Sequence, residues 1–203
     1  MMKRLLLLLV FCVPLHAATI VIVGDSVAHG AGDESGLGIA GHLQQLLGAR
    51  VVNAAVNGSR TWNVDAMLSR VSLRDVDAVV VSIGGNDLYG DRRAQWLSIL
   101  MPRLMMDLTL DRVSHLVRRV HRANAKARVI LLGLYNPYGR DLAPYVAIWD
   151  SKLLARFARD ERVTVVRIAD LLARRRDRLS PLDHFHPGAA GYALIARRIA
   201  EGF

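Results

Sequence analysis

Four short polar segments, far apart in the chain, contain residue types that can together hydrolyse an ester. In chain order they are Gly24-Asp25-Ser26, Asn57-Gly58, Gly84-Gly85-Asn86-Asp87 and Asp183-His184-Phe185-His186. They offer a serine nucleophile, hydrogen-bond donors for an oxyanion, and a histidine base with a carboxylate to orient it. Each segment alone is an ordinary turn sequence, because Gly, Asn, Asp and Ser all favour turns. The interpretation therefore rests on the four segments together and on the elements that hold them.

Ser26 is the candidate nucleophile. It follows an apolar strand pattern that ends in Gly24. Glycine allows a sharp exit from the strand, and a helical turn after it would direct backbone N–H groups towards charge that develops at the serine oxygen. The alternative is that Asp25 and Ser26 only cap a helix. The N–H groups of Ser26 and Gly58 and the side-chain amide of Asn86 form the predicted oxyanion hole.

His186 is the candidate general base, and Asp183 is the carboxylate that would orient it. Their spacing of three residues lets both side chains lie on one side of a single turn, so that the carboxylate can hold one ring nitrogen. Pro187 is expected to begin the helix that follows. His184 is the alternative base, and Asp183 could also serve only as a helix cap. A metal site at His184 and His186 would need a further His/Cys cluster that the sequence lacks, so we expect no metal and no cofactor.

Other side chains near these segments could contact a substrate. The candidates are Asp25, Tyr89, Tyr135, Asn136 and Pro137. The tyrosines could line a channel for an acyl chain, and Asn136 could bind a sugar or a lipid head group. The alternative is that these residues only pack the loops in which they lie.

Strand-like and helical patterns alternate along the whole chain, which predicts a parallel sheet with helices on both faces. The predicted strands are 19–23, 50–53, 78–83, 128–132 and 163–166, and the predicted helices are 36–48, 62–70, 91–123 with a break near Pro102, 145–160, 167–177 and 188–201. The strands are continuous apolar runs, as expected for strands buried on both faces. We predict a three-layer α/β/α, flavodoxin-like fold with five strands in the order 2-1-3-4-5. Sites in such sheets lie beyond the carboxyl ends of the strands, where the first three segments stand.

The first 17 residues are typical of a secretory signal peptide. A basic start at Lys3 and Arg4 precedes an apolar run of about ten residues, against roughly 20 that would span a bilayer. Residues 18–203 are then a single domain of an exported protein, periplasmic or secreted, without the one cysteine, Cys12. Loss of the two basic residues lowers the formal charge from +9 to +7.

The remaining positive charge is concentrated in short runs of arginine. Such runs are usually solvated helix faces, and the alternative is attraction to anionic lipid head groups or acidic envelope polymers. No nucleic-acid recognition motif accompanies the charge, so we expect no nucleic-acid partner. We expect a monomer.

The four segments resemble the SGNH (GDSL) hydrolase family, whose four named residues match Ser26, Gly58, Asn86 and His186 in order. The resemblance implies ester hydrolysis without a cofactor, by an acyl-enzyme mechanism in which Asp183 stabilises the histidine. A histidine base predicts activity that rises through neutral pH.

The chain resembles the periplasmic acyl-CoA thioesterase and lysophospholipase branch of that family, because its first strand begins close to the predicted cleavage site. Val27-Ala28 departs from the Leu-Ser/Thr that often follows the nucleophile there. The expected substrate is a small-molecule or lipid acyl ester, cleaved by a carboxylesterase, lysophospholipase or thioesterase. The alternatives are a carbohydrate or peptidoglycan O-acetylesterase and, in a different class, a non-catalytic binding module.

Overall fold

The computed structural model describes residues 17–89, 101–136 and 143–203. The predicted signal peptide lies outside the described residues except for Ala17, and so does Pro137. Within the described parts of the chain, no helix is both long and apolar enough to cross a membrane.

Five parallel strands form one sheet in the order β2-β1-β3-β4-β5, which confirms the predicted topology. The strands are β1 (Thr19–Gly24), β2 (Arg50–Asn53), β3 (Ala78–Ser82), β4 (Arg128–Leu132) and β5 (Val163–Val166). Nearly every residue of the three central strands is buried, whereas the edge strands β2 and β5 are more exposed. Helices cover both faces of the sheet, which explains why the central strands are uninterrupted apolar runs.

Eight α-helices and two 3-10 turns connect the strands in the described residues. They are α1 (Ser26–His29), α2 (Gly38–Leu47), a 3-10 turn (Thr61–Asn63), α3 (Val64–Leu68), α4 (Gly85–Tyr89), α5 (Pro102–Ala123), α6 (Ala143–Phe157), α7 (Ala169–Leu172), a 3-10 turn (Arg176–Arg178) and α8 (Ala189–Ala200). Side chains of α3, α5 and α6 form one apolar core, which includes Trp149. Those of α1, α2, α7 and α8 form a second, which includes Tyr192. These two cores lie on opposite faces of the sheet. The side chains of Trp149 and Tyr192 are both fully buried.

The structure corrects two predicted helices near the carboxyl end of the chain. The helix predicted over 167–177 is interrupted, because Arg174 takes a left-handed backbone conformation with φ 54° between α7 and the second 3-10 turn. The last helix begins at Ala189 and not at Pro187. Pro187 instead forms a β-bridge with Leu179, and the extended Gly188 that follows it donates its N–H to the carbonyl of Arg178.

Candidate active site

The turn that carries Ser26 is formed by a close contact between the ends of β1 and β3. Gly24 has φ 140°, and a side chain there would overlap the backbone carbonyl of Ser82. The N–H of Asp25 donates to the same carbonyl oxygen at 2.9 Å. Only glycine can accept both this backbone angle and this approach, so Gly24 sets the exit of the chain into α1, whose first residue is Ser26.

Asp25 was a predicted substrate contact, and the structure corrects this prediction. Its side chain is buried, and Oδ1 accepts hydrogen bonds from the N–H of Val27 at 3.1 Å and the hydroxyl of Ser82 at 3.2 Å. Burial raises the pKa of Asp25 to about 7, although both hydrogen bonds oppose the shift. The carboxyl group thus faces the protein interior, where it caps α1 and positions the turn at Ser26.

The three predicted oxyanion donors stand at the ends of three neighbouring strands. Because β1 lies between β2 and β3, Gly58 and Asn86 flank Ser26 from opposite sides. Among residues 17–89, 101–136 and 143–203, no acceptor bonds to the N–H of Ser26 or of Gly58. The side-chain amide of Asn86 donates one hydrogen to the carbonyl of Ser59 at 2.9 Å, which orients the amide and leaves its second hydrogen available.

Asp87 fixes the segment that contains Gly58, a function that the sequence analysis missed. Its buried carboxylate accepts hydrogen bonds from the N–H and the hydroxyl of Thr61. Burial raises the pKa of Asp87, while the bonds from Thr61 and the charge of Arg112, 3.8 Å away, oppose the shift. The contact joins the loop after β2 to α4, so it ties the segment that contains Gly58 to the helix that contains Asn86.

His186 and Asp183 are in direct contact. The Nδ1 atom of His186 lies 2.6 Å from Oδ2 of Asp183. The other oxygen of the carboxylate accepts the N–H groups of Phe185 at 2.9 Å and His186 at 3.0 Å. Burial would raise the pKa of Asp183, but the bonds from His186 and the two amides outweigh it and lower the pKa. His184, the alternative base, is exposed, with a left-handed backbone at φ 53°.

Tyr135 supports the segment that carries His186. Its hydroxyl donates to the carbonyl of Phe185 at 3.0 Å, and the two rings lie 6.2 Å apart. The ring of Phe185 meets the ring of His186 edge to face at 4.8 Å. Tyr135, predicted to contact substrate, therefore uses its hydroxyl to hold Phe185 behind the imidazole.

The loop after α1 connects the segment of Ser26 to that of His186. The N–H of Ala31 donates to the carbonyl of Ser26 at 2.9 Å, and the carbonyl of Ala31 accepts the hydroxyl of Tyr192 at 2.7 Å. Gly32 has φ 84°, and a Cβ atom there would lie 2.6 Å from Cβ of His186. Sequence reasoning missed Gly32 and Tyr192, because their contacts join residues more than 150 positions apart.

The remaining predicted substrate contacts are Tyr89, Asn136 and Pro137. The ring of Tyr89 packs against the core, and its buried hydroxyl has no hydrogen-bond partner within the described residues. Burial raises the pKa of Tyr89 to about 12, and the packing interpretation fits this side chain better than a substrate wall. Asn136 follows β4 and lines a cavity beside β5 together with Asp150. Pro137 lies outside the described residues.

No group of three or more His, Cys, Asp or Glu side chains in the described residues could hold a metal ion.

The sequence pattern of the GDSL-like lipase/acylhydrolase family matches residues 22–194 of this chain. The chain belongs to this family. The match begins within β1, spans every site residue named above and ends within α8. Members of the family act on acyl esters, and the chain is accordingly an ester hydrolase.

Known proteins with similar sequences or folds extend this comparison. The chain is 29% identical over 206 residues to the uncharacterized protein YpmR of Bacillus subtilis, covering 90% of this chain and 80% of that protein. The lipase Lip_vut3 from a goat rumen metagenome has a similar fold, with a TM-score of 0.70, 19% identity, and coverage of 92% of this chain and 97% of that one. The acetylxylan esterase Axe2 of Geobacillus stearothermophilus aligns with a TM-score of 0.64, 22% identity, and coverage of 91% and 93%.

Proposed function

We propose that this protein hydrolyses acyl esters through an acyl-enzyme intermediate, with Ser26 as nucleophile, His186 as base and Asp183 as its orienting carboxylate. The observation that carries the proposal is the contact of 2.6 Å between Nδ1 of His186 and the carboxylate of Asp183. Two backbone amides hold that carboxylate in place, so the imidazole has a fixed tautomer and its Nε2 atom is left to accept a proton.

The reaction proceeds in two halves. The Oγ atom of Ser26 attacks the acyl carbon while its proton moves to Nε2 of His186, and Asp183 stabilises the resulting imidazolium. The oxyanion accepts hydrogen bonds from the N–H groups of Ser26 and Gly58 and from the amide of Asn86. Collapse of this intermediate expels the alcohol, which takes the proton from His186. Water then attacks the acyl-enzyme by the same route and releases the acid and free Ser26.

For the substrate we propose short- to medium-chain acyl esters, including lysophospholipids, with thioesters as related substrates. We further propose that residues 1–17 are removed on export and that the enzyme acts in the periplasm or outside the cell. The positive charge of the mature chain supports action on esters that carry an anionic group. Mass spectrometry of the exported protein tests the processing, because an intact Met1 would contradict it.

The second candidate function is removal of O-acetyl groups from a carbohydrate or peptidoglycan. Trp62 favours it, because this side chain is 53% exposed and directly follows Thr61, which is bound to α4. The guanidinium groups of Arg60 and Arg112 lie 5.1 and 5.4 Å from its ring centroid. An exposed flat ring at this place offers a surface on which a sugar ring could pack. A structural neighbour, Axe2, is an acetylxylan esterase.

Hydrolysis of p-nitrophenyl esters from acetate to palmitate tests both functions. The variants Ser26→Ala and His186→Ala should each lower kcat by about 10⁴-fold or more, since neither group can be replaced by solvent. His184→Ala is the matched control, because it removes the neighbouring histidine and should leave kcat within about twofold. Equal activity in the His186 and His184 variants would refute the assignment of the base. The preferred chain length distinguishes a lipolytic esterase from a deacetylase.

A further inference from the structure

A surface cavity of about 880 Å³ lies between the C-terminal half of α5, the end of α6 and the turn that leads into β5. Its α5 residues, at positions 114, 117, 118, 121 and 122, are spaced as one face of a helix. Five arginines line it: Arg118, Arg122, Arg156, Arg159 and Arg162. The cavity is therefore strongly basic, and its floor includes the apolar side chains of Val117 and Phe157.

The cavity lies at the amino-terminal ends of the strands, whereas the proposed catalytic residues lie beyond the carboxyl ends. Its wall from α5 leads into the beginning of β4, and its turn over 158–162 leads directly into the beginning of β5. The residues of the active site follow the carboxyl ends of β1, β2 and β3. A ligand in this cavity therefore does not enter the catalytic site.

Only part of the positive charge in the cavity is neutralised. Arg156 bonds to Asp111 at 2.8 Å, and Arg162 bonds to Asp160 at 3.0 Å. For the other three arginines, Arg118, Arg122 and Arg159, the described residues contain no acidic side chain within ion-pair distance. The carboxylates that line the cavity are Asp160 and Glu161, so cationic side chains outnumber acidic ones by five to two.

Favourable interaction with the helix dipole explains only some of these arginines. Basic residues are stabilised in the last turn of a helix, which accounts for Arg122 on α5 and Arg156 on α6. Arg118 lies one turn earlier, and Arg159 follows the end of α6. His121 also lines the cavity, and burial together with the charge of Arg162 lowers its pKa although Asp160 opposes the shift.

We propose that this cavity binds a phosphate-bearing anion. Guanidinium groups form paired, charge-assisted hydrogen bonds to phosphate oxygens, and three of them are available here. The apolar floor suits a phosphate that is attached to an organic group. The phosphate belongs either to a soluble compound or to a lipid head group. A bilayer bound at this end of the sheet would leave the active site facing away from the membrane, so a lipid here would tether the enzyme and not serve as its substrate.

Calorimetric titration with sodium pyrophosphate tests the site. We expect saturable binding to the full mature protein, weakened at least tenfold in Arg118→Ala/Arg122→Ala/Arg159→Ala. The matched control is Arg70→Ala/Arg74→Ala/Arg197→Ala, which removes the same charge from three exposed arginines outside the cavity and should bind like the unmodified protein. Unchanged p-nitrophenyl acetate hydrolysis in both triple variants verifies that they are folded.

Sedimentation with vesicles of phosphatidylcholine and phosphatidylglycerol at three to one distinguishes the sources of the phosphate. Vesicle binding that is lost only in the cavity variant identifies a lipid head group, whereas pyrophosphate binding without vesicle binding identifies a soluble ligand. Absence of saturable pyrophosphate binding, or equal weakening in the two triple variants, would overturn the proposal, since the second result would show an effect of net charge alone.

Discussion

Replacement of Asp25 by asparagine should remove a large pH dependence from the stability of the fold. The carboxyl group is 5% exposed, and burial raises its pKa to about 7 from 3.8. Because the folded-state pKa is raised, the protonated form is favoured in the fold. The stability that Asp25 contributes is therefore fully present below about pH 4 and is lost as the pH rises to about 7.

The size of the effect follows from the shift in pKa. A shift of about three units corresponds to about 4 kcal/mol of unfolding free energy, of which about 3 kcal/mol is lost between about pH 5 and about pH 8. Asparagine has nearly the same shape and stays neutral, and its oxygen can still accept the hydrogen bonds of Val27 and Ser82. The unfolding free energy of the variant should therefore not fall in this way as the pH rises.

Urea unfolding of both proteins at several pH values measures the prediction. Other titrating groups, including Asp150 with a pKa raised by burial to about 6, contribute equally to both proteins and cancel in the difference. The unfolding free energy of Asp25→Asn minus that of the unmodified protein should rise by about 3 kcal/mol between about pH 5 and about pH 8. Parallel curves would refute the reasoning, because they would show that Asp25 ionises in the fold as easily as in the unfolded chain.

Four further substitutions test the site and its supports. Gly24→Ala should cost about 3 kcal/mol or more, because it brings a Cβ atom onto the carbonyl of Ser82, and an unchanged urea midpoint would contradict this geometry. Asn86→Ala should lower kcat by about 10²–10³ with KM almost unchanged, and a change in KM alone would place the amide outside the oxyanion hole. Asp183→Asn should lower kcat by about 10⁴-fold with the urea midpoint little altered, because it disturbs the tautomer of the base. Tyr135→Phe should cost about 1 kcal/mol in urea unfolding and lower kcat by only a few fold, and a loss as large as that of Asp183→Asn would instead give Tyr135 a part in the chemistry.

The sheet was predictable because its strands are short apolar runs separated by helical patterns. That alternation indicates a parallel sheet, for which the observed order 2-1-3-4-5 is a common one, and the shared strand direction brings the first three polar segments to the same end of the sheet. The ends of α7 and the beginning of α8 were not predictable, because a left-handed Arg174 and the bridge of Pro187 to Leu179 depend on tertiary packing. Local propensity favoured helix at both places, and the contacts around them overrode it.

Within the candidate site, residue type and spacing suggested the polar segments, whereas the residues that support them could not be predicted in this way. Asp25 has the type and position of a substrate ligand, and only its contact with Ser82, 57 positions away, shows that it faces inward. Tyr135 is likewise bound to a carbonyl 50 positions away. Such pairs leave no periodic pattern in the sequence, because each partner is an ordinary loop or strand residue.

Ser26 and His186, the proposed nucleophile and base, are held by different kinds of structure. Ser26 stands at the end of a central strand, held by backbone contacts between β1 and β3. His186 lies beyond the last strand, in a segment positioned by the side chains of Asp183 and Tyr135 and by close packing against Gly32. Perturbation of the strand ends should therefore cost more unfolding free energy than perturbation of Tyr135, whose single hydrogen bond supports the segment of His186. The orientation of His186 thus depends on side-chain contacts at the point where the sheet no longer constrains the chain, and its contact with Asp183 should affect kcat most.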